Sequence, residues 1–465
     1  MKKTNKKISL KAASFLIALL VLTVSLASCF GIQNYPDPIA PGTDGDTDAA
    51  PESVAGTDAA KDNTISAEPS FENSAFYELI AEAYQNAKEE GYTGDIAQYI
   101  KEMMSTDGES GSVNRLAALS SGLLSSVAII ANHEVRQNTF FGVTTGNASS
   151  AGSGVIYKLD KESGSAYIIT NYHVVHHDYS TNSTKISEDI NVYIYGSVVT
   201  GSEIPATFVG GSYNYDIAVL RIEGSDRLKN SDAVAISAAD SNAITVGQTA
   251  IAIGNANGMG ISATSGVISV DSEYINLNIV GNVATEHRVI RFDTAVNSGN
   301  SGGGLFNDSG ELIGIVNAKP SDTSVDGIGY AIPSNVAIGV AQNIIDHYDG
   351  KNTSALLKCM LGVTVQSSGH KAILDSKTGG VKLVEKVGVT TVTENSLADG
   401  SLKENDVILS ITVAGKTHEI TRMFHVIDAM LWARSGQTVL VTVERDGASV
   451  SVPFEIKDSN MTVQN

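Results

Sequence analysis

The chain has 465 residues, enough for two or three domains, and its hydrophobic content of 42% is sufficient to form their cores. A formal net charge of −20 argues against nucleic acid as a partner, because phosphate contacts need basic surface. The two cysteines allow one disulfide at most, which excludes a secreted protein held together by several disulfides.

The first residues are typical of an export signal. Five lysines within residues 1–13 precede an apolar run over residues 15–26. That run is shorter than the about 20 residues of a transmembrane helix, which favours an export signal. Its end, "LASC", resembles a bacterial lipobox, which implies a lipoprotein signal peptide over residues 1–28 and diacylation of Cys29 at a bacterial membrane. An uncleaved anchor and an ordinary cleavage site are the alternatives.

Residues 29–70 predict a disordered acidic tether. They hold eight acidic residues and one lysine, and are rich in Pro, Gly, Thr, Asp and Ala. Such a composition buries too little apolar surface to fold, and its charges repel one another. A chain of this length has a typical reach of about 35 Å, which would lift a folded domain clear of lipid headgroups.

Residues 71–106 predict a helical hairpin. Apolar residues from Phe76 to Ala87 follow helical spacing, Gly91 is placed to end that helix, and Asp95 with Gln98 predicts a capping box for a second one. The hairpin is too small to fold strongly alone, so we expect it to pack on the rest of the chain or on another copy. A role in gripping substrate is the alternative.

Three segments further along the chain each place one reactive side chain at the end of an apolar, β-type run. His173 follows "SAYIIT", Asp216 precedes "IAVLRI", and Ser301 lies in the glycine turn of "NSGNSGG". A serine nucleophile, a histidine base and an aspartate that orients the histidine are what nucleophilic catalysis requires. Their order, His, Asp, Ser, is that of chymotrypsin-type proteases and differs from that of subtilisins and α/β-hydrolases.

The glycine turn predicts an oxyanion hole beside the nucleophile. Apolar segments lie on both sides of it, so it is not a linker. Glycine adopts backbone angles closed to other residues, which lets the amides of Gly299 and Ser301 converge on one point. Taken singly, each triad residue is also explained as a structural histidine, a turn former or a loop serine. Their joint occurrence in this order favours the triad.

A metal site is the alternative for the histidines. His173, His176 and His177 would share one face of a helix, since they stand at positions i, i+3 and i+4. No cysteine and no distant His or Glu completes the set, and the β-type residues before His173 argue against a long helix. We therefore expect no metal and no cofactor.

Five segments, in this order, resemble the successive motifs of the HtrA/DegP family of trypsin-like serine proteases: "TNYHVV", "YDIAVLRI", "AIAIGNANGMGISATSGVIS", "NSGNSGG" and "GIGYAIPSN". The resemblance extends from about Leu123 to the end of the chain. It implies a mainly β fold, a chymotrypsin-like double β-barrel protease domain over residues 123–346, and a homotrimer. Gly304 departs from the pattern, because the family usually has proline there, but glycine removes no catalytic group.

The same resemblance suggests a specificity pocket. In trypsin-like folds the residue six before the nucleophile lies at the base of the pocket, and in this chain it is Ala295. Apolar Ile315 and Val316 are expected in the strand that forms the wall. With no acid at the base, we expect a preference for small aliphatic residues, not Lys or Arg, before the cut.

Residues 355–458 resemble a PDZ domain of the kind attached to HtrA proteases. The resemblance rests on "CMLGV" and on "LKENDVILSITVAG". The amides around Met360, Leu361 and Gly362 could hold a C-terminal carboxylate while the peptide adds as a strand beside Val363. A small β domain that only packs is the alternative. Cys359 is expected to be a buried free thiol, because Cys29 would be lipidated.

Together these features predict an extracytoplasmic serine endopeptidase of protein quality control, tethered to the membrane through its lipid anchor. Its expected partners are unfolded or mislocalised proteins and exposed C-terminal peptides, with no nucleic acid. The alternative is a catalytically silent peptide-binding or chaperone-like envelope protein, against which the intact set of triad residues argues.

Overall fold

A computed structural model describes these residues of the chain: 84–85, 88–89, 91–95, 98, 119–139, 142–196, 198–258, 260–280, 283–317, 327–374 and 380–464. The predicted signal peptide, Cys29 and the tether lie outside them, as does most of the predicted helical hairpin. In one described piece of the hairpin, the Gln98 amide donates to Asp95 Oδ1 over 2.7 Å, which is one half of a capping box. None of the helices in the described ranges is long and apolar enough to cross a membrane.

The fold is mainly β, as predicted, and the first six described strands close into a barrel. They are β1 (Ser126–Thr139), β2 (Gly142–Asp160), β3 (Ser165–Thr170), β4 (Asp189–Ile194), β5 (Ile204–Ser212) and β6 (Ile217–Ile222). The antiparallel order is β5-β4-β1-β2-β3-β6, and pairing of β5 with β6 closes the barrel. Inward side chains such as Ile129, Ile168 and Leu220 form its core.

A second closed barrel follows, built from the next six described strands. They are β7 (Thr249–Gly254), β8 (Ser262–Val280), β9 (Val283–Phe292), β10 (Gly304–Phe306), β11 (Leu312–Asn317) and β12 (Gly329–Pro333). The strand order is β10-β11-β12-β9-β8-β7. Its core includes Ile268, Ile290 and Leu305. The predicted double β-barrel is therefore confirmed.

A third apolar core lies between the two barrels and fixes them against each other. It joins Ile169 of the first barrel to Ile253 and Phe306 of the second, together with α3 (Ser334–Asp346). Two single-turn helices, α1 (Tyr172–Val175) and α2 (Asp226–Lys229), lie in connections of the first barrel. Since α1 directly follows β3, its side chains lie near this seam.

The C-terminal part forms a separate sheet with its own apolar core. Its elements are β14 (Val363–Leu374), β15 (Val381–Val392), β16 (Val407–Val413), β17 (Lys416–Glu419), α4 (Phe424–Met430), β18 (Thr438–Arg445) and β19 (Ala448–Glu455). The order is β14-β15-β16-β18-β19, with β17 on β16, so β14 is an edge strand. A short 3-10 helix at Asp458–Asn460 follows β19, and another, at Ala256–Gly258, lies between β7 and β8 of the second barrel.

The strand that connects the two parts belongs to both. β13 (Ser354–Cys359) pairs in parallel with β5 through Ser354 and Gly210, and antiparallel with β20 (Met461–Gln464). It therefore extends the sheet of the first barrel before the chain enters the C-terminal part. The sequence-based boundaries at 355 and 458 divide β13 and leave out β20, because neither pairing has a local sequence signal.

Charged and aromatic side chains also connect the second barrel to the C-terminal part. Arg288 of β9 forms an ion pair with Asp428 of α4, and its guanidinium carbon lies 3.7 Å from the ring centroid of Phe424. Arg422 Nη1 lies 3.2 Å from Asp271 Oδ2 of β8. These contacts hold α4 against the β8–β9 hairpin.

Candidate active site

The predicted base and its orienting acid are in direct contact. His173, in α1, places Nδ1 2.8 Å from Asp216 Oδ2, and its amide donates to Asp216 Oδ1 over 3.0 Å. The His173 side chain is 30% exposed, whereas that of Asp216 is 0% exposed. Because the carboxylate accepts from Nδ1–H, the second ring nitrogen, Nε2, is left as the acceptor on the exposed side.

Asp216 is held by groups that the sequence analysis missed. Asn317 Nδ2, at the end of β11 in the second barrel, donates to Asp216 Oδ2 over 3.1 Å. Asn171 Nδ2 donates to the Asp216 carbonyl over 2.9 Å. Asp216 also has a left-handed backbone, with φ +50°, a conformation that Asp tolerates better than most residues. The only sequence signal for Asn317 is a polar residue that ends a long apolar run.

The carboxylate changes the proton affinity of the imidazole. Burial disfavours the charged form of His173, but the charge of Asp216 and the hydrogen bond to it outweigh burial and raise the pKa of His173 above its ordinary value. The imidazolium is therefore stabilised where it stands. That is what a base needs if it is to hold a proton during a reaction.

The turn that carries the predicted nucleophile lies near α1, where the two barrels approach each other closely. The Ser301 carbonyl accepts from the Ser153 amide over 2.8 Å. A Cβ on Gly152 would lie 2.7 Å from Val174 of α1 and 3.2 Å from the Ser301 carbonyl, so α1 and the Ser301 turn pack on the same glycine. No hydrogen bond joins the Ser301 hydroxyl to His173 in the described part of the chain, a separation common in sites without substrate.

Glycine is required at the residue after the predicted nucleophile. Gly302 has φ +84°, and a Cβ there would overlap the Ser153 carbonyl and the Thr170 hydroxyl at the end of β3. Its amide donates to the Val316 carbonyl over 2.9 Å. The bare backbone thus lets the Ser301 turn lie against the end of β3, directly before α1.

The two amides of the predicted oxyanion hole are unpaired among the described residues. Within the described ranges, the amides of Gly299 and Ser301 donate to no acceptor of the protein, and Gly299 has φ +95°. The Gly299 carbonyl accepts from Ser153 Oγ over 2.6 Å, and Ser153 Oγ accepts from the Asn255 amide over 2.7 Å. The turn is therefore held from behind while two N–H groups stay unpaired.

The predicted specificity pocket needs a correction. Ala295 is exposed, and its carbonyl accepts from Thr264 Oγ1 over 2.7 Å. Ile315 and Val316 are fully buried and belong to two different cores, on opposite faces of β11. Successive side chains of a barrel strand point to alternate faces, so one of the two lies in each core. Because both are fully buried, neither lines an open pocket.

The four residues expected to bind a peptide carboxylate form a tight loop before an edge strand. Met360 is 51% exposed, Leu361 is buried, and Gly362 has φ +78°. The carbonyls of Leu361 and Gly362 accept from the backbone of residues 398 and 393 over 2.9 and 2.8 Å. The amides of Leu361 and Gly362 donate to no described acceptor, and Val363 begins β14.

His176 and His177, which the alternative metal site would use, pack near aromatic rings, and Cys359 is buried. In the described ranges no group of three or more His, Cys, Asp or Glu side chains is placed to hold a metal ion. His176 stacks on Tyr172 with ring centroids 5.5 Å apart, and His177 lies 5.4 Å from His133. Cys359 is a buried free thiol, as predicted, and burial raises its pKa to about 11.

Comparison with known proteins finds relatives in sequence and in structure. A family model described as "Trypsin-like peptidase domain" matches residues 152–315. The "Serine protease Do-like HtrA" of Lactococcus lactis subsp. cremoris is 32% identical over 347 residues, 70% of this chain and 77% of that protein. The "Periplasmic serine endoprotease DegP" of Escherichia coli is 32% identical over 314 residues, 66% of this chain and 57% of that protein. A solved "HtrA-type protease AlgW with decapeptide" is 26% identical, with a TM-score of 0.45, and covers 75% of this chain and 98% of that chain.

Two antiparallel barrels and the trypsin-like match define a serine endopeptidase of the trypsin-like class. The chain belongs to the HtrA/DegP family of serine proteases.

Proposed function

We propose that His173, Asp216 and Ser301 are the catalytic triad of this endopeptidase and that the amides of Gly299 and Ser301 are its oxyanion hole. The observation that carries the proposal is the 2.8 Å contact of His173 with Asp216, beside a serine turn with two unpaired amides. These are the groups that acyl transfer requires.

In the proposed reaction each of these groups has one role. Ser301 Oγ attacks the peptide carbonyl while His173 Nε2 takes its proton, and the oxyanion forms beside the two amides. The proton then moves to the leaving amine nitrogen as the C–N bond breaks, which leaves an acyl-enzyme. Water then attacks the acyl-enzyme ester while His173 takes a proton from it. As the ester bond breaks, His173 donates that proton to Ser301 Oγ and the carboxylic acid product is released. Asp216 keeps the proton on Nδ1 and stabilises the imidazolium throughout.

Specificity in this proposal rests on Ala295 alone, since Ile315 and Val316 are buried. Ala295 brings no charge to the base of the pocket, so small aliphatic residues before the cut are favoured over Lys and Arg. A cleavage profile of a denatured protein, read by mass spectrometry, tests this. Cleavage mainly after Lys or Arg would contradict it.

We also propose that the C-terminal part is a PDZ domain that recognises exposed C-termini. Two free amides at Leu361 and Gly362 and the exposed edge of β14 support this, because a peptide can add there as a strand with its carboxylate at the loop. Binding of a fluorescent peptide, compared with the same peptide carrying a C-terminal amide, tests it. Equal affinity for both forms would contradict it.

The cellular setting that we propose is the bacterial envelope. The "LASC" signal at Cys29 supports a lipid anchor, and the relative from Escherichia coli is named periplasmic. A homotrimeric protease tethered outside the cytoplasm would act on unfolded or mislocalised envelope proteins. Metabolic labelling with an alkyne fatty acid should mark the wild type and leave Cys29→Ala unlabelled.

Digestion of casein tests the central proposal. The wild type should degrade casein, Ser301→Ala should not, and the matched control Ser309→Ala, an exposed serine in the next turn, should match the wild type. Digestion of casein by Ser301→Ala would show that Ser301 is not the nucleophile. An inactive wild type would favour the peptide-binding alternative.

A further inference from the structure

One lysine of the C-terminal part is buried against the loop that carries Asp216. Lys358, in β13, is 8% exposed, and its ammonium donates to the Tyr215 hydroxyl over 2.8 Å. Nζ also lies 5.4 Å from the centroid of the Tyr215 ring. Burial of an ammonium is costly, and lysine is almost never buried without a partner, so its place in the fold calls for a reason.

Tyr215 directly precedes Asp216 in the chain. Asp216 has φ +50° and a fully buried carboxylate, and its amide donates to the Tyr213 carbonyl over 3.2 Å. The peptide unit between Tyr215 and Asp216 is therefore part of a tight turn. Through this turn, the backbone of Tyr215 is joined directly to the residue whose carboxylate contacts His173.

Tyr215 packs against the apolar core between the two barrels and also lines a cavity. This cavity, of about 310 Å³, lies between the barrels and the C-terminal part. Residues lining it include Tyr215, Tyr274, His287, Lys358, Ile427 and Asp428. The hydrogen bond from Lys358 adds a restraint at the hydroxyl end to this packing of the ring.

The electrostatics of Lys358 agree with a restrained, functional group. Burial lowers its pKa, and the negative charge of Asp428 opposes that change. Asp428 itself is paired with Arg288. Lys358 therefore has the Tyr215 hydroxyl as its close partner, not a carboxylate that would satisfy the charge directly.

We propose that Lys358 is a positioning residue for Asp216: it anchors Tyr215 and thereby keeps the carboxylate against His173. The inference rests on the proposed triad and adds a residue from outside the two barrels to it. β13 also leads directly to Met360, so the strand that orients Asp216 enters the loop proposed to hold a peptide carboxylate. The C-terminal part is then a component of the active site and not only a substrate adaptor.

Steady-state kinetics of three full-length variants test the proposal. Lys358→Met keeps the length of the side chain and removes its charge, and Tyr215→Phe removes one oxygen. Lys416→Met, an exposed lysine of the same domain, is the control. For the first two we expect kcat to fall about 10- to 100-fold with little change in KM, the range seen when a supporting group is lost. The kcat of the double variant should be no lower than that of the less active single variant, because both changes break the same hydrogen bond.

Two further readouts separate positioning from a structural role. Replacing a buried charge by an apolar group of similar size is often neutral or stabilising, so the melting temperature of Lys358→Met should stay the same or rise. The acid limb of the kcat/KM profile should move to lower pH, because Asp216 would raise the pKa of His173 less. Tyr215→Phe carries the test if Lys358→Met does not fold.

Unchanged kcat and pH profile in Tyr215→Phe and in folded Lys358→Met would overturn the inference. The inference would also be overturned if kcat fell only in those variants whose melting temperature fell as well. If the wild type itself has no activity that depends on Ser301, the proposed triad is wrong, and the inference about Lys358 is wrong with it because it depends on the triad. An active wild type with fully active variants removes Lys358 alone.

Discussion

Ser153 Oγ donates a hydrogen bond to the Gly299 carbonyl over 2.6 Å, although the two residues stand in different barrels. The same oxygen accepts from the Asn255 amide, and the Ser153 amide donates to the Ser301 carbonyl. One buried serine thus holds the nucleophile turn at two points. The geometry of the proposed oxyanion hole depends on this contact between barrels.

Ser153→Ala should therefore lower kcat by about tenfold, less than the 100- to 1,000-fold loss of an oxyanion donor itself. It should also lower the free energy of unfolding by about 1–3 kcal/mol, because the Asn255 amide loses its buried partner. Initial rates on a peptide substrate and urea unfolding measure both effects. Ser149→Ala, an exposed serine of the same strand, is the control. Full activity of Ser153→Ala would contradict this role.

Activity should be lost on acidification at a higher pH than an ordinary histidine would cause. Asp216 raises the pKa of His173 above 6.5, and a general base must be neutral to accept a proton. The acid limb of kcat/KM should therefore have its midpoint above pH 6.5. The effect on stability has the opposite sign: the contribution of His173 is present below pH 6.5 and is lost as the pH rises through the folded-state pKa.

Asp216→Asn tests the tautomer argument. The amide can donate to Nδ1 and so place the proton on Nε2, which leaves the base unable to accept from Ser301. We expect kcat to fall about 10,000-fold, as for this change in other triads, with the fold retained. Asp308→Asn, an exposed aspartate near the next turn, should stay active. A loss of less than tenfold would show that Asp216 does not orient the base.

His133 predicts a loss of stability in acid. Its side chain is 4% exposed, neither ring nitrogen has a hydrogen-bond partner in the described residues, and burial together with His177 and His176 lowers its pKa to about 4. The unfolded chain binds the proton near pH 6.5, so the free energy of unfolding should fall as the pH drops from 6.5 to 4, by up to about 3 kcal/mol.

Urea unfolding of His133→Leu at pH 7 and pH 4.5 measures this contribution. The variant should lose less stability between the two pH values than the wild type does. His370→Leu, an exposed histidine of β14, should behave like the wild type. An equal acid loss in wild type and His133→Leu would assign the effect to other groups.

Gly304 predicts a packing cost for any side chain placed at its position. A Cβ there would overlap the ring of Phe306, which is fully buried, and would lie 3.0 Å from Leu312. Gly304→Ala should lower the free energy of unfolding by about 1–3 kcal/mol through overpacking. A companion Phe306→Leu change should recover part of it. A variant as stable as the wild type would show that the ring moves freely.

The double barrel predicted from the sequence is confirmed. The triad stays a prediction, which the sequence makes because His173, Asp216 and Ser301 each follow or precede a recognisable strand. The sequence does not predict Ser153 or Asn317, which are single polar residues within or after apolar runs. Their partners lie over 100 positions away in the chain, and only closure of the barrels brings them together. The prediction that Ile315 and Val316 line the specificity pocket was wrong for a related reason, because both faces of β11 are buried.

Mapping of a fluorophosphonate adduct tests the central claim most directly. Intact mass spectrometry of the wild type should give one adduct, and peptide mapping should place it on Ser301. His173→Ala, which keeps the serine and removes the base, should react at least about 100-fold more slowly, within the usual range for general base catalysis. An adduct on another residue, or labelling of Ser301 at the same rate without His173, would contradict the account.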